Sequence, residues 1–337
     1  MTNNPFFQLN LAPCVPPPWA KGGHAQTIWG HFLPSPMFNQ RLPEQTILLP
    51  DGDQLIAHHI SGDSQMVVYL FHGLGGSADS DYIHRTARVA QSQGHTVYLV
   101  NHRGCGAGAA LARRPYHSGC GDDISAVIRW GRVRHPQAQH LAIGFSVSGS
   151  ALLNLITGRR GDCPPDLAIT VNAPIELEEA SRALSQGLNR LYDLRFVLKL
   201  KDHLRTKKAA GLIDEVPKIF LTTTLRDWDE TYTARAAGFD GRDHYYDTCS
   251  TFSHLDRITI PTLALTAKDD PFIPVSGYAC ARWSPSTRVH IEKTGGHMGY
   301  LTTQNQTGTR RWLDYALSTA LNACTASIQA TPLKKSV

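Results

Sequence analysis

The 337-residue sequence predicts an α/β protein with a mostly parallel sheet covered by helices on both faces. Three observations predict it. Eight short apolar runs have the length and β-branched character of strands. Beyond the third run most of them are separated by helix-like segments. The composition, 42% hydrophobic and 18% charged, is that of an ordinary globular chain long enough for a sizeable core.

In chain order, residues 1–40 are rich in proline and polar residues and show no sustained period, so they read as a wrapping extension. Strands follow at TILLP (46–50), QLIAHHI (54–60), MVVYLFHG (66–73), HTVYLVN (95–101), HLAIGF (140–145) and LAITVNAP (167–174). The last two are PTLALTA (261–267) and RVHIEKT (288–294). Helical patterns occupy 81–93, 122–133 and 307–323, the last with Trp312, Tyr315, Ala316 and Leu317 near one face. Between Asn172 and Ile260 the alternation stops, and a helical, then irregular and aromatic stretch reads as an insertion over the sheet edge. Its basic run, Lys199, Lys201, Arg205, Lys207 and Lys208, reads as a solvated helix face rather than a membrane-surface patch: Asp202 interrupts it and no strong apolar face backs it.

The net charge of +5 is diffuse and gives no argument for nucleic acid. No apolar run approaches the length of a membrane span, and the N-terminus lacks the basic-then-apolar order of a signal peptide, so no stable membrane insertion and a cytoplasmic location are expected. The seven cysteines are scattered without a C-x-x-C pair, which predicts free structural thiols and neither a disulfide framework nor a metal site.

The chemistry sits at strand ends. In GFSVSG (144–149) a strand turns sharply into a helix at Ser146, the geometry that displays a nucleophilic serine, although the G-x-S-x-G pattern has Ser148 where its second glycine belongs. A serine in a glycine turn can equally be structural. FHGLGG (71–76) supplies an early loop whose Leu74 amide, with the amide of Val147, could hold a developing oxyanion. No G-K-[ST] follows these glycines, which disfavours a nucleotide site. AKDDPFIP (267–274) places Asp269 and Asp270 after a strand, and KTGGHMGY (293–300) places His297 in the loop after the next. Either aspartate could orient the histidine. The order Ser, Asp, His differs from that of the two other well-known serine protease folds.

RGCGAGAAL (103–111) approaches a dinucleotide fingerprint, with Asp122 and Asp123 about 20 residues on. Its context fails, because Pro115 interrupts the required helix and the aspartates open a helix instead of closing a strand.

GGHAQTIWG (22–30), FHGLGGSADSDYIHR (71–85), NHRGCG (101–106), PYHSGCGDD (115–123), GFDGRDHYYDTCS (238–250), AKDDPFIP and GGHMGY together resemble the YheT-like branch of the α/β-hydrolases, related to the eukaryotic ABHD1/ABHD3 proteins. The similarity spans about residues 20–315. It implies an eight-stranded α/β-hydrolase core, a helical cap and carboxylic-ester hydrolysis without a cofactor, with Ser146 as nucleophile, His297 as base and an aspartate of the 269–270 pair as orienter; the common hydrolase pattern of an aspartate four residues before a proline selects Asp270, ahead of Pro274. The expected division is an extension over 1–40, a core over 41–173 and 256–325, a cap over 174–255 and a disordered tail over 326–337. The elbow departs from the family's usual G-F-S-L-G-G-N, with Ser148 and Ser150 replacing glycine and asparagine. The expected partner is a small or lipid-like ester. An acyltransferase using the same residues and a non-catalytic scaffold are the alternatives.

Overall fold

A computed structural model of the chain describes residues 4–303 and 310–330. Its centre is one eight-stranded sheet in the order β1-β2-β4-β3-β5-β6-β7-β8. The strands are β1 (Glu44–Leu48), β2 (Gln54–Ile60), β3 (Met66–Phe71), β4 (Thr96–Asn101), β5 (Gln139–Phe145), β6 (Leu167–Val171), β7 (Thr262–Ala267) and β8 (Thr287–Glu292). β2 pairs antiparallel with both β1 and β4, and every other pair is parallel. The central strands are apolar throughout because both faces are covered. Thus every residue of β3 is buried, with Val67, Tyr69 and Phe71 in one core and Met66, Val68 and Leu70 in the other.

Four helices make that cover. α2 (Asp81–Ser92) and α11 (Trp312–Ala330) bury Ile83, Ala87, Trp312, Ala316 and Leu317 against one face. α3 (Gly121–Arg134) and α4 (Val147–Ile156) bury Ile124, Val127, Leu152 and Leu153 against the other. The short helix α10 (Val275–Cys280) lies between β7 and β8.

Two terminal expectations are corrected. Disorder is expected from Ala326, but α11 continues to Ala330 because Ala320, Leu321 and Cys324 keep it docked on the core; residues 331–337 lie outside the described residues. The expected start of that helix, 307–309, also lies outside them. Within the N-terminal stretch, α1 (Gly23–Phe32) forms where no period is visible. Its large apolar side chains Ile28, Trp29 and Phe32 are exposed, so there is no core-facing stripe to read. Instead, buried Gln26 anchors it, donating to the carbonyls of Ala20 and Leu301 and accepting from the Leu301 amide.

Between β6 and β7 the chain leaves the sheet for α5 (Leu177–Leu184), α6 (Arg190–Ala209), α7 (Leu225–Trp228), a π-helical turn (Asp229–Thr233), α8 (Ala234–Ala236) and α9 (Arg242–Cys249). Two small apolar clusters hold this segment, one around Val197, Leu204 and Trp228 and one around Tyr245 and Tyr246. Polar ties fix it to the sheet layer. The buried Lys207 ammonium donates to the carbonyls of Arg113 and Arg114 at 3.3 and 2.8 Å, and burial pulls its pKa down to about 8.

Candidate active site

Ser146 stands between β5 and α4 with φ of 53°, a left-handed conformation that a non-glycine residue holds only when its surroundings enforce it. Close packing enforces it here. A Cβ on Gly149 would come within 2.6 Å of the Ala173 Cβ, so glycine is required where α4 crosses the end of β6. The sequence suggests that Ser148 is the tight position; the structure gives that place to Gly149.

The His297 Nδ1–H donates to Asp270 Oδ2 at 2.8 Å, leaving Nε2 as acceptor for the Ser146 hydroxyl at 3.1 Å. The Asp270 side chain is fully buried. Its Oδ2 also accepts from Asn172 Nδ2 at 2.6 Å, and its Oδ1 accepts the amides of Phe272 and Ile273 at 2.9 and 3.1 Å. Asn172 is itself oriented by the Tyr300 hydroxyl at 2.8 Å. Asp269 does something different: its Oδ1 accepts the amides of Gly295 and Gly296, each at 2.8 Å, and so shapes the loop that carries His297.

Leu74 and Val147 flank the serine. Neither of their amides has an acceptor among the described residues. On each side of Leu74 a tyrosine fixes the loop, with Tyr82 Oη accepting the Gly73 amide at 2.8 Å and Tyr116 Oη accepting the Gly75 amide at 2.6 Å. The two unused donors thus lie beside Ser146, one in a braced loop and one at the positive end of α4.

Ser148 points elsewhere. Its hydroxyl donates to the His72 carbonyl and accepts from His102 Nε2 at 2.6 Å. His72 and His102 follow β3 and β4, and the His102 amide donates to His72 Nε2 at 3.2 Å. His72 Nδ1–H donates to the Gly73 carbonyl at 2.9 Å. Burial pushes the His72 pKa down to about 4; burial, with His72 and Arg103 adding to it, lowers that of His102 as well. A neutral histidine pair therefore ties the elbow helix to the loop carrying Leu74. Nothing in the local sequence marks this pair, because its members are 30 residues apart and lie 76 and 46 residues from Ser148.

Two cavities meet at Ser146 and His297. One runs under the segment between β6 and β7 and is largely apolar, with Leu177, Leu184, Leu200, Trp228 and Ile273 in its wall. The other opens between α1 and α6 and carries Thr27, His31, Ser80, Arg195 and Lys199. Of the aromatic residues in the inserted segment, Trp228, Tyr232, Tyr245 and Tyr246 line the first cavity, Tyr192 the second and Phe196 both. Leu191 is exposed, and Phe239 packs with Tyr245.

The Gly-rich stretch after β4 holds no nucleotide-type helix. Arg103 there is locked by Asp51 and Asp53 and by a two-pronged contact with Asp123, each bond at 2.7–2.8 Å. The role of Asp123 at the start of α3 is thus mainly to hold this buried guanidinium, alongside the expected helix-end charge.

Residues 66–303 match the alpha/beta hydrolase fold family. YheT of Escherichia coli (strain K12), named as a candidate esterase, is 32% identical over 266 residues, covering 76% of this chain and 78% of that protein. The mouse phospholipase ABHD3 is 27% identical over 303 residues, covering 85% and 72%. Among solved structures, the Pyrococcus furiosus esterase Pf2001 superposes with a TM-score of 0.55 at 12% identity, over 86% of this chain and 98% of that one, a likeness of fold. With a family match across most of its length and the sheet order that carries Ser146, Asp270 and His297 to one edge, the chain belongs to the α/β-hydrolases, in their YheT-like branch.

Proposed function

We propose that the protein is a serine hydrolase of carboxylic esters that works through a Ser146–His297–Asp270 triad and an acyl-enzyme. The observation that carries this reading is the hydrogen-bonded series from Ser146 Oγ through His297 to Asp270, with two unused amides beside it. His297 Nε2 takes the serine proton as Oγ attacks the ester carbonyl, and the Leu74 and Val147 amides donate hydrogen bonds to the oxygen on which charge develops. His297 then returns the proton to the leaving alcohol. Water, deprotonated by the same nitrogen, adds to the acyl-enzyme and releases the acid and the serine. Asp270 keeps the imidazole in the required tautomer and stabilises it once charged. The apolar cavity takes the acyl chain, and residues 174–255 act as its cap. The second cavity admits the alcohol and water. No cofactor enters these steps, and the compartment expected for them is the cytoplasm.

A fluorophosphonate probe and a short-chain aryl ester test this. Labelling and hydrolysis that both vanish in Ser146→Ala are expected. An unlabelled, inert wild type would instead leave a scaffold, and a product that shifts wholly from acid to new ester on adding an alcohol would indicate an acyltransferase.

A further inference from the structure

We propose that the face shared by α1 and α6 docks on an anionic lipid surface, with the opening of the second cavity turned toward that surface. Taken alone, α6 does not suggest this. It carries seven Lys and Arg against two Asp, but no continuous apolar face. The fold supplies the missing half from 160 residues away in the sequence. His31 of α1 meets Arg195 of α6 at 2.6 Å across 164 residues, and the His24 ring stacks on Tyr192. The two helices therefore form one surface.

The apolar part of this surface is exposed. Trp29 and Phe32 of α1 are 46% and 66% accessible, and Trp19, in edge-to-face contact with Trp29, is 49% accessible. On α6, Leu191 and Leu198 are 71% and 47% accessible and lie one turn to either side of Arg195. A monomeric protein gains nothing by holding two indoles in water, whereas the headgroup region of a bilayer accommodates such rings.

Positive charge predominates on this surface, where the exposed Asp202 is paired with Arg205. Arg195 and Lys199, the cations of α6 on the α1 side, make no carboxylate ion pair among the described residues, the Lys199 ammonium donating to the Gly75 carbonyl at 3.2 Å, whereas Arg190 and Arg205 are paired within the helix. The first 43 residues contain no Asp or Glu at all. Asp79 and Asp81 also line the second cavity, but from the core side at the start of α2. Exposed indoles beside uncompensated cations match an anionic lipid surface better than they match a protein partner, which would have to supply both an apolar patch and carboxylates. Among the described residues no helix is long and apolar enough to cross a membrane, so the association is peripheral. Because Ile28, His31, Phe32, Arg195 and Lys199 line the cavity that reaches Ser146, docking would place its opening at the lipid.

The docking itself is independent of hydrolysis, so it is tested on the full-length Ser146→Ala protein. Co-sedimentation is measured with phosphatidylcholine vesicles and with vesicles that also contain phosphatidylglycerol, at rising salt. Binding that requires phosphatidylglycerol and falls with salt is expected. Trp19→Ser with Trp29→Ser, or Arg195→Gln with Lys199→Gln, should each lower the partition coefficient about tenfold or more. The indole variant, checked by thermal unfolding and on the wild-type background, should still hydrolyse a soluble short-chain ester. No vesicle binding, binding that ignores these substitutions, or a self-association broken by them in place of vesicle binding would each overturn the proposal. None of those outcomes touches the hydrolase reading, which fails only in the probe and ester assays.

Discussion

The Thr27 hydroxyl accepts the main-chain amide of His297 at 2.8 Å across 270 residues of sequence, and donates to the Gly23 carbonyl at 2.7 Å. Helix α1 is thus a support for the loop that carries the imidazole. The packing is tight enough that a Cβ on Gly23 would fall 1.7 Å from the Asp269 carbonyl oxygen. Thr27→Val keeps the shape and removes the acceptor. We expect a fall in kcat of about tenfold or more with KM little changed, because a displaced base slows chemistry more than binding. Unchanged kcat would show that the loop holds His297 without α1.

Ser146→Ala and His297→Ala should each lower ester turnover by about 10³-fold or more, and the double variant should lose little beyond either single one. Groups that act as a unit lose function together. Additive losses in kcat/KM would count against the pairing of these two side chains in one step.

The adjacent aspartates have different partners and should behave differently. Asp270→Asn places an amide against the His297 Nδ1–H and the Asn172 Nδ2–H, so it favours the wrong imidazole tautomer and should resemble a triad lesion. Asp269→Asn keeps an oxygen for the Gly295 and Gly296 amides and should be much milder. Steady-state turnover of the two variants decides the ranking, and the reverse order would move the orienting role to Asp269.

Ser148→Ala leaves the buried His102 Nε2–H without an acceptor and the His72 carbonyl without that donor. The cost expected in urea unfolding is about 1–3 kcal/mol. Because the hydroxyl faces away from Ser146, ester turnover should stay within about tenfold at a temperature where the variant is folded. A loss of all activity in a folded Ser148→Ala protein would assign the hydroxyl a chemical role.

His72 makes stability depend on acid. Its pKa falls from 6.5 to about 4 on folding, through burial, so between these values the unfolded chain binds more protons and stability rises with pH. The contribution is fully present above pH 6.5 and is lost as pH falls through about 4, a difference of roughly 3 kcal/mol. His72→Asn should be less stable at neutral pH but show a flatter decline between pH 6.5 and 4.5 in urea titrations. Equal slopes for variant and wild type would exclude His72 as the source.

The strands, the sharp turn at Ser146 and the placing of Asp270 and His297 after successive late strands are legible in the sequence because each is local. A buried parallel strand is a continuous apolar run, and a nucleophile turn is a glycine–serine cluster between such a run and a helix. Their order along the chain is enough to bring them to one edge once the sheet is parallel. The tertiary structure decided what depends on single contacts between distant residues. Asn172 against Asp270, Thr27 under His297, Ser148 against His102 and Gln26 against Leu301 are each one hydrogen bond or a few, at positions without any period. The aromatic face of α1 and the cationic face of α6 likewise carry no joint signal in sequence, since neither helix alone is amphipathic enough to declare a surface. They become one face only because the His297 loop holds α1 at the opening that α6 also lines, and that meeting is set by packing, which periodicity does not encode.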